Sequence, residues 1–205
     1  MMNLVNKYYL NWLFAKPKDF VFVHIQKTAG KSIRQALGLK KGANHNSAQQ
    51  WLNEYTVDEW NNAFKFTFVR NPWDRLLSSY MYRTQGGNGS KGDHERARLY
   101  PDNFTEFCEN IEAFIALPNE SMFEPQYRRI SDEKDNILVN FVGKTENIEA
   151  DFGHVCNELG IKGDVKLAHI NKSIHDNYRR YYDKHTQLII GKVYEEDIEK
   201  FNYWF

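Results

Sequence analysis

Between residues 20 and 37 the sequence passes from an apolar run, FVFVHI, through QKTAGKS to an amphipathic stretch carrying Ile33, Ala36 and Leu37. A short aromatic and β-branched run, a loop of small and polar residues, and then a 3.6-residue apolar period read as strand, tight turn and helix start. Two more apolar runs, Phe64 to Val69 (FKFTFV) and Ile137 to Val142 (ILVNFV), read as buried strands. Helical patterns lie between and after them. Trp73, Leu76, Leu77, Tyr80 and Met81 recur at helical spacing, with Asn71 placed as N-cap and Pro72 at the first helical position. Phe104, Phe107, Cys108, Ile111, Phe114 and Ile115 repeat the pattern, and Asn147 to Leu159 and Ile189 to Phe201 are further helical stretches. Alternating strands and helices predict an α/β fold with a mainly parallel sheet.

At 205 residues the chain is expected to form a single domain spanning 1–205, and its 14 Phe, 12 Tyr and 5 Trp supply a core that needs no staples. The two cysteines, Cys108 and Cys156, make no disulfide framework and are expected to pack inside helices. Gly86 to Gly92 (GGNGSKG) reads as a flexible loop. No stretch approaches the length of a membrane span, so a soluble, cytoplasmic protein is expected, with peripheral membrane contact through Tyr8 to Phe14 open.

A net charge of zero conceals an asymmetry. Residues 20 to 53 carry Lys27, Lys31, Arg34, Lys40 and Lys41 with no acid, whereas residues 102 to 160 carry 13 acids against four bases. This suits a local basic pocket for a small, highly charged anion rather than a nucleic-acid surface.

The QKTAGKS loop has the chemistry of such a pocket. Small residues at Ala29 and Gly30 let backbone N–H groups approach an anion, and Lys and Ser/Thr side chains add charge and hydroxyl donors. The plain alternative is a tight turn bearing solvated lysines. Gly30-Lys31-Ser32 also ends a nucleoside-triphosphate loop, G-x-x-x-x-G-K-[ST], but Ile25 stands where the first glycine belongs. The next strand ends in Arg70 instead of the Asp that would hold Mg²⁺.

The second strand leads into Arg70-Asn71-Pro72-Trp73-Asp74-Arg75-Leu76-Leu77-Ser78-Ser79-Tyr80. Arg70 at a strand end and Ser78 two turns into the next helix can converge on one anion, a fork of N–H donors beside a hydroxyl. Equally, Arg70 can pair with Asp74 and Ser78 can bond back to its own helix.

Together HIQKTAGKS and FVRNPWDRLLSSY resemble the two nucleotide-binding signatures of PAPS-dependent sulfotransferases, in particular the family 2 carbohydrate sulfotransferases. VGKTENIEADF, Asn171-Lys172-Ser173 and the ending VYEEDIEKFNYWF are also similar to that family, so the likeness covers most of the chain. It implies a P-loop-type three-layer fold that binds 3′-phosphoadenosine 5′-phosphosulfate (PAPS), without metal, and passes its sulfuryl group to an acceptor. By position, Lys27 would be the catalytic lysine at the bridging oxygen, and Thr28, Ala29, Gly30, Lys31 and Ser32 would cradle the 5′-phosphate. Arg70 and Ser78 would bind the 3′-phosphate, and Asn171, Lys172 and Ser173 would close over the donor. Departures are Lys31, often Thr or Ser in the family, and Gln26, often Pro. Lys31 keeps alive the alternatives of a phosphotransferase using Mg-ATP and of a catalytically silent nucleotide-binding module.

An acceptor hydroxyl must lose its proton, which calls for His or a carboxylate. His45, in a polar segment leading into a helix, matches the place where the resembling enzymes carry a base. His94, after the glycine-rich stretch, and Glu124, in Phe123-Glu124-Pro125-Gln126, stay open as alternatives. His24 lies in a strand and reads as a satisfied core residue. The polar segments Lys40 to Asn53 and Gly86 to Tyr100 suit a carbohydrate or glycolipid acceptor, and a bacterial polysaccharide or glycolipid pathway is the expected setting.

Overall fold

The computed structural model describes residues 19–39, 45–163, 165, 167 and 176–205. In chain order its elements are β1 (Phe20–Val23), α1 (Gly30–Ala36), α2 (Ala48–Leu52), α3 (Val57–Asn62), β2 (Phe64–Val69), α4 (Pro72–Thr84), α5 (Lys91–Ala97), α6 (Phe104–Glu109), α7 (Ile111–Ile115), β3 (Phe141–Lys144), α8 (Ile148–Glu158), α9 (Lys184–Val193) and α10 (Glu195–Lys200). The protein is α/β, as the alternation of patterns predicts. Among the described residues no helix is long and apolar enough to cross a membrane. The chain divides into two compact units, one of Met1–Ile25, Ala29–Phe68 and Arg129–Ile170, the other of Gln26–Thr28, Val69–Arg128 and Asn171–Phe205.

The first unit is built on a three-stranded sheet of order β1-β2-β3. β1 and β2 run parallel, pairing Phe20 with Phe64 through to Val23 with Thr67. β2 is the central strand and is covered on both faces, so Lys65 and Thr67 are buried along with Phe66, Phe68 and Val69. On one face Phe22, Phe66 and Phe68 pack against Ile33 and Leu37 from the α1 segment and Phe152, Val155 and Cys156 of α8. On the other, the buried polar side chains of β2 are satisfied. Lys65 Nζ donates to the Trp60 carbonyl at 2.9 Å and Thr67 Oγ1 to the Val23 carbonyl at 2.7 Å. Gly143 of β3 is required by Phe68, since a Cβ there would lie 2.6 Å from its ring.

The third strand begins later than the apolar run suggests. Ile137 forms an antiparallel bridge with Ser131, and Leu138 N–H donates to the Ile130 carbonyl, so Ile137 and Leu138 are spent on a local turnback. Pairing with β2 begins where Asn140 N–H reaches the Lys65 carbonyl at 2.7 Å and the Asn140 side chain accepts from Lys65 N–H at 2.8 Å.

The second unit is organised around α4. Asn71 caps it as expected, its Oδ1 accepting from the N–H groups of Trp73 and Asp74, and Pro72 opens the first turn. Trp73, Leu76 and Tyr80 enter a core with Tyr100, Phe107, Cys108, Ile111, Phe123, Ile190 and Tyr194. The expected helix from Phe104 to Ile115 is broken at Asn110, whose side-chain amide donates to the Glu106 carbonyl at 2.9 Å, an amide competing with backbone for a helical acceptor. The C-terminal helix is likewise two, α9 and α10, meeting at Tyr194. Gly86 to Gly92 is not loop throughout. Gly86, Gly87 and Gly89 take positive φ, after which Ser90 caps α5 and Gly92 lies inside it. Both cysteines are buried in helices, Cys108 in α6 and Cys156 in α8.

Candidate active site

Lys27 and Ala29 both adopt left-handed backbone, φ 68 and φ 60, which non-glycine residues hold only when their surroundings enforce it. For the segment Gln26–Thr28 the enforcing groups are two arginines. Arg75, almost wholly buried, donates Nε–H to the Gln26 carbonyl at 3.2 Å and its two terminal nitrogens to the carbonyls of Glu124 and Met122, both at 2.9 Å. Arg70 donates Nη1–H to the Lys27 carbonyl at 3.3 Å. The Gln26 side-chain amide adds a bond to Ser121 Oγ at 3.0 Å. Thr28 is buried, and the Lys27 ammonium stands 4.5 Å from the centre of the Tyr82 ring.

Arg70, Asp74, Ser78 and Tyr82 recur every four residues, which places them in one row along α4 and its entry. Arg70 Nε pairs with Asp74 Oδ2 at 2.8 Å, so the ion pair seen as an option in the sequence is formed. The Arg70 backbone is fixed at both ends by Gln126, which accepts its N–H at 2.9 Å and donates to its carbonyl at 2.8 Å. Gln126 is in turn held by Asp197, buried in α10, whose carboxylate accepts from the N–H groups of Gln126 and Tyr127 at 2.8 Å each and from Gln126 Nε2 at 3.2 Å. Ser78 is buried in the row, one turn from Asp74 and one from Tyr82.

In the first unit the loop continues into α1, with Gly30, Ser32 and Ile33 buried and Lys31 exposed. Gly30 lies against the imidazole of His24. An added Cβ would come within 1.8 Å of His24 Nε2, so only glycine fits. The expectation that His24 is a satisfied core residue is half right. It is buried, but among the described residues its Nδ1 has no hydrogen-bond partner. Burial, then the neighbouring His45, Arg34 and Lys31, push its pKa down to about 3, so the ring is neutral.

His45 packs its ring 4.5 Å from that of His24, and its Nδ1 lies 3.4 Å from the His24 carbonyl. A carbonyl only accepts, so this contact needs the proton on Nδ1 and leaves the lone pair on Nε2, the state a general base requires. Arg129 donates to the His45 carbonyl, anchoring the residue from the strand-side turnback. Ser47 caps α2 in a reciprocal capping box with Gln50, which makes the polar segment lead into a helix as read.

Of the other candidates, His94 sits on the exposed helix α5 with its ring against Gly86, and Glu124 is half-buried, with its carbonyl committed to Arg75. Asn171, Lys172 and Ser173 lie outside the described residues. Lys27, Arg70 and Ser78 belong to the same unit, Lys27 and Arg70 in direct contact. Sequence reasoning missed Arg75, Gln126 and Asp197. Arg75 and Gln126 stood as polar residues among neighbours patterned for burial, whereas Asp197 stood in the charged run EEDIEK and carried no signal.

The model of the Sulfotransferase family matches residues 11–204. Carbohydrate sulfotransferase 11 of Rattus norvegicus and that of Mus musculus are each 27% identical over 182 residues, 74% of this chain and 51% of theirs. An uncharacterized protein of Archaeoglobus fulgidus is 29% identical over 117 residues, 56% of this chain and 82% of its own. The chain thus spans about half the length of the two carbohydrate sulfotransferases. No solved structure matches it significantly. With residues 11–204 inside the family match, this chain belongs to the sulfotransferase family.

Proposed function

We propose that the protein transfers a sulfuryl group from PAPS to a hydroxyl of a carbohydrate or glycolipid acceptor, as a single sulfotransferase domain working in the cytoplasm. The observation that carries this reading is the contact between Arg70 and Lys27, which ties the proposed 3′-phosphate ligand to the proposed catalytic lysine inside a family-wide match. The residues suit a phosphorylated, sulfated donor. Lys27 supplies an ammonium, Arg70 a guanidinium, and Ser78 and Thr28 hydroxyls.

PAPS brings a sulfuryl group on a phosphate–sulfate anhydride. His45 Nε2 takes the acceptor's proton as the acceptor oxygen bonds to sulfur and the sulfur–oxygen bond to phosphate breaks. Lys27 neutralises charge on the departing phosphate oxygen, a contact that strengthens as that charge grows. Arg70 and Ser78 hold the 3′-phosphate and give the donor its register. The leaving product is adenosine 3′,5′-bisphosphate.

The test is transfer of label from ³⁵S-PAPS to a panel of saccharides and glycolipids, beside thermal shift. Adenosine 3′,5′-bisphosphate at 100 times its Kd and without metal should stabilise the fold by about 2.7 kcal/mol. A shift with Mg-ATP alone would replace sulfuryl by phosphoryl transfer.

A further inference from the structure

Lys27 is held at two points within the same unit. Arg70 fixes its carbonyl, and the Tyr82 ring lies under its ammonium at 4.5 Å. Both partners come from the row Arg70, Asp74, Ser78, Tyr82, so the lysine is strung along the side of α4 that carries the proposed 3′-phosphate ligands. A lysine stem has four rotatable carbons, and an ammonium that must meet one oxygen at one moment gains from having that freedom removed beforehand. An aromatic face does this without neutralising the charge, as a carboxylate would.

We infer that Tyr82 is a positioning residue for Lys27, its ring face holding the ammonium until charge developing on the donor's bridging oxygen draws it away. This rests on the reading of Lys27 as the lysine that meets that oxygen. The required property is the ring's electron-rich face. Burial, then Asp93, raises the Tyr82 hydroxyl above the usual phenol range, so the partner is a neutral ring and not a phenolate.

The experiment compares Tyr82→Phe and Tyr82→Leu. The contact itself is read by ring-current displacement of the Lys27 ε-methylene signal in ¹³C-lysine protein, assigned by its absence in Lys27→Arg. The displacement should be present in wild type and Tyr82→Phe and lost in Tyr82→Leu. Release of sulfate from PAPS, to water or to an acceptor, should then fall about 2- to 30-fold in kcat for Tyr82→Leu, be rescued by Tyr82→Phe, and leave the Kd for adenosine 3′,5′-bisphosphate unchanged. An undisplaced Lys27 signal in wild type overturns the proposal, as does a Tyr82→Leu enzyme as fast as wild type. Equal loss in both variants makes the hydroxyl, not the ring, the active part and overturns it too. A wild type that binds the bisphosphate yet releases no sulfate from PAPS refutes instead the donor reading, and Tyr82's role with it.

Discussion

Arg70 donates to the backbone carbonyl of Lys27 at 3.3 Å while its Nε pairs with Asp74 at 2.8 Å, so one guanidinium both shapes the loop and ties it to the row along α4. The Lys27 φ of 68 is the conformation this bond supports, and the strain is carried where the chemistry is proposed.

Arg70→Ala is therefore expected to weaken adenosine 3′,5′-bisphosphate binding by more than the loss of one contact. A charge-assisted bond to phosphate contributes about 1.5–3 kcal/mol, roughly 10- to 150-fold in Kd, and release of the Lys27 carbonyl adds to it. Calorimetric titration of Arg70→Ala, Asp74→Ala and the double variant separates the parts. Should Arg70→Ala bind normally and merely melt earlier, the Asp74 pair is structural and the anion site lies elsewhere.

Gly30→Ala tests the fit between the loop helix and His24, the residue that follows β1. Its Cβ would meet the His24 ring at 1.8 Å, an overlap of the kind that costs about 1–3 kcal/mol. Chemical denaturation should show that loss, and His24→Ala should restore much of it in the double variant by vacating the space. Additive losses in the double variant would mean the two residues do not compete for one volume.

His24 also predicts a pH dependence. Its folded pKa is lowered to about 3 from 6.5, so below pH 6.5 the unfolded chain takes up a proton that the folded ring refuses. Stability contributed by the neutral ring is full above the unfolded value and is lost as pH falls from about 6.5 toward 3. Between pH 7 and pH 5 the share from this residue is about 2 kcal/mol. His45, Arg34 and Lys31 face the ring and all disfavour its charge. In His24→Asn the drop between those pH values should shrink by that amount. An unchanged drop assigns the acid sensitivity to other groups.

Much of this was legible because local chemistry and burial agree. β2 is buried from Lys65 to Val69, Asn71-Pro72 caps and starts α4, and the QKTAGKS loop leads into a helix. Where the reading slipped, a side chain overrode the period. Asn110 diverts a helical carbonyl, and Ile137 and Leu138 pair back on residues 130 and 131 instead of entering the sheet. Arg75 and Asp197 could not be read, because their value lies in backbone carbonyls and amides supplied by segments far away in sequence. Tyr82 was hidden for a like reason. It looks like one more aromatic on a helix, and only the distance to Lys27 distinguishes it.

His45 carries the last prediction. Its Nδ1 contact with the His24 carbonyl at 3.4 Å fits the tautomer with the proton on Nδ1 and the lone pair on Nε2. His45→Ala should keep adenosine 3′,5′-bisphosphate affinity and lose about 10²- to 10⁴-fold in turnover, the usual contribution of a positioned base. His94→Ala and Glu124→Gln are measured beside it, with the acceptor that the labelled screen returns. His94 lies on an exposed helix and should tolerate the change, and Glu124 holds Arg75 through its backbone carbonyl, which Gln preserves. A His45→Ala enzyme near wild-type rate, with either companion inactive, would move the base to that companion and leave His45 as packing against His24.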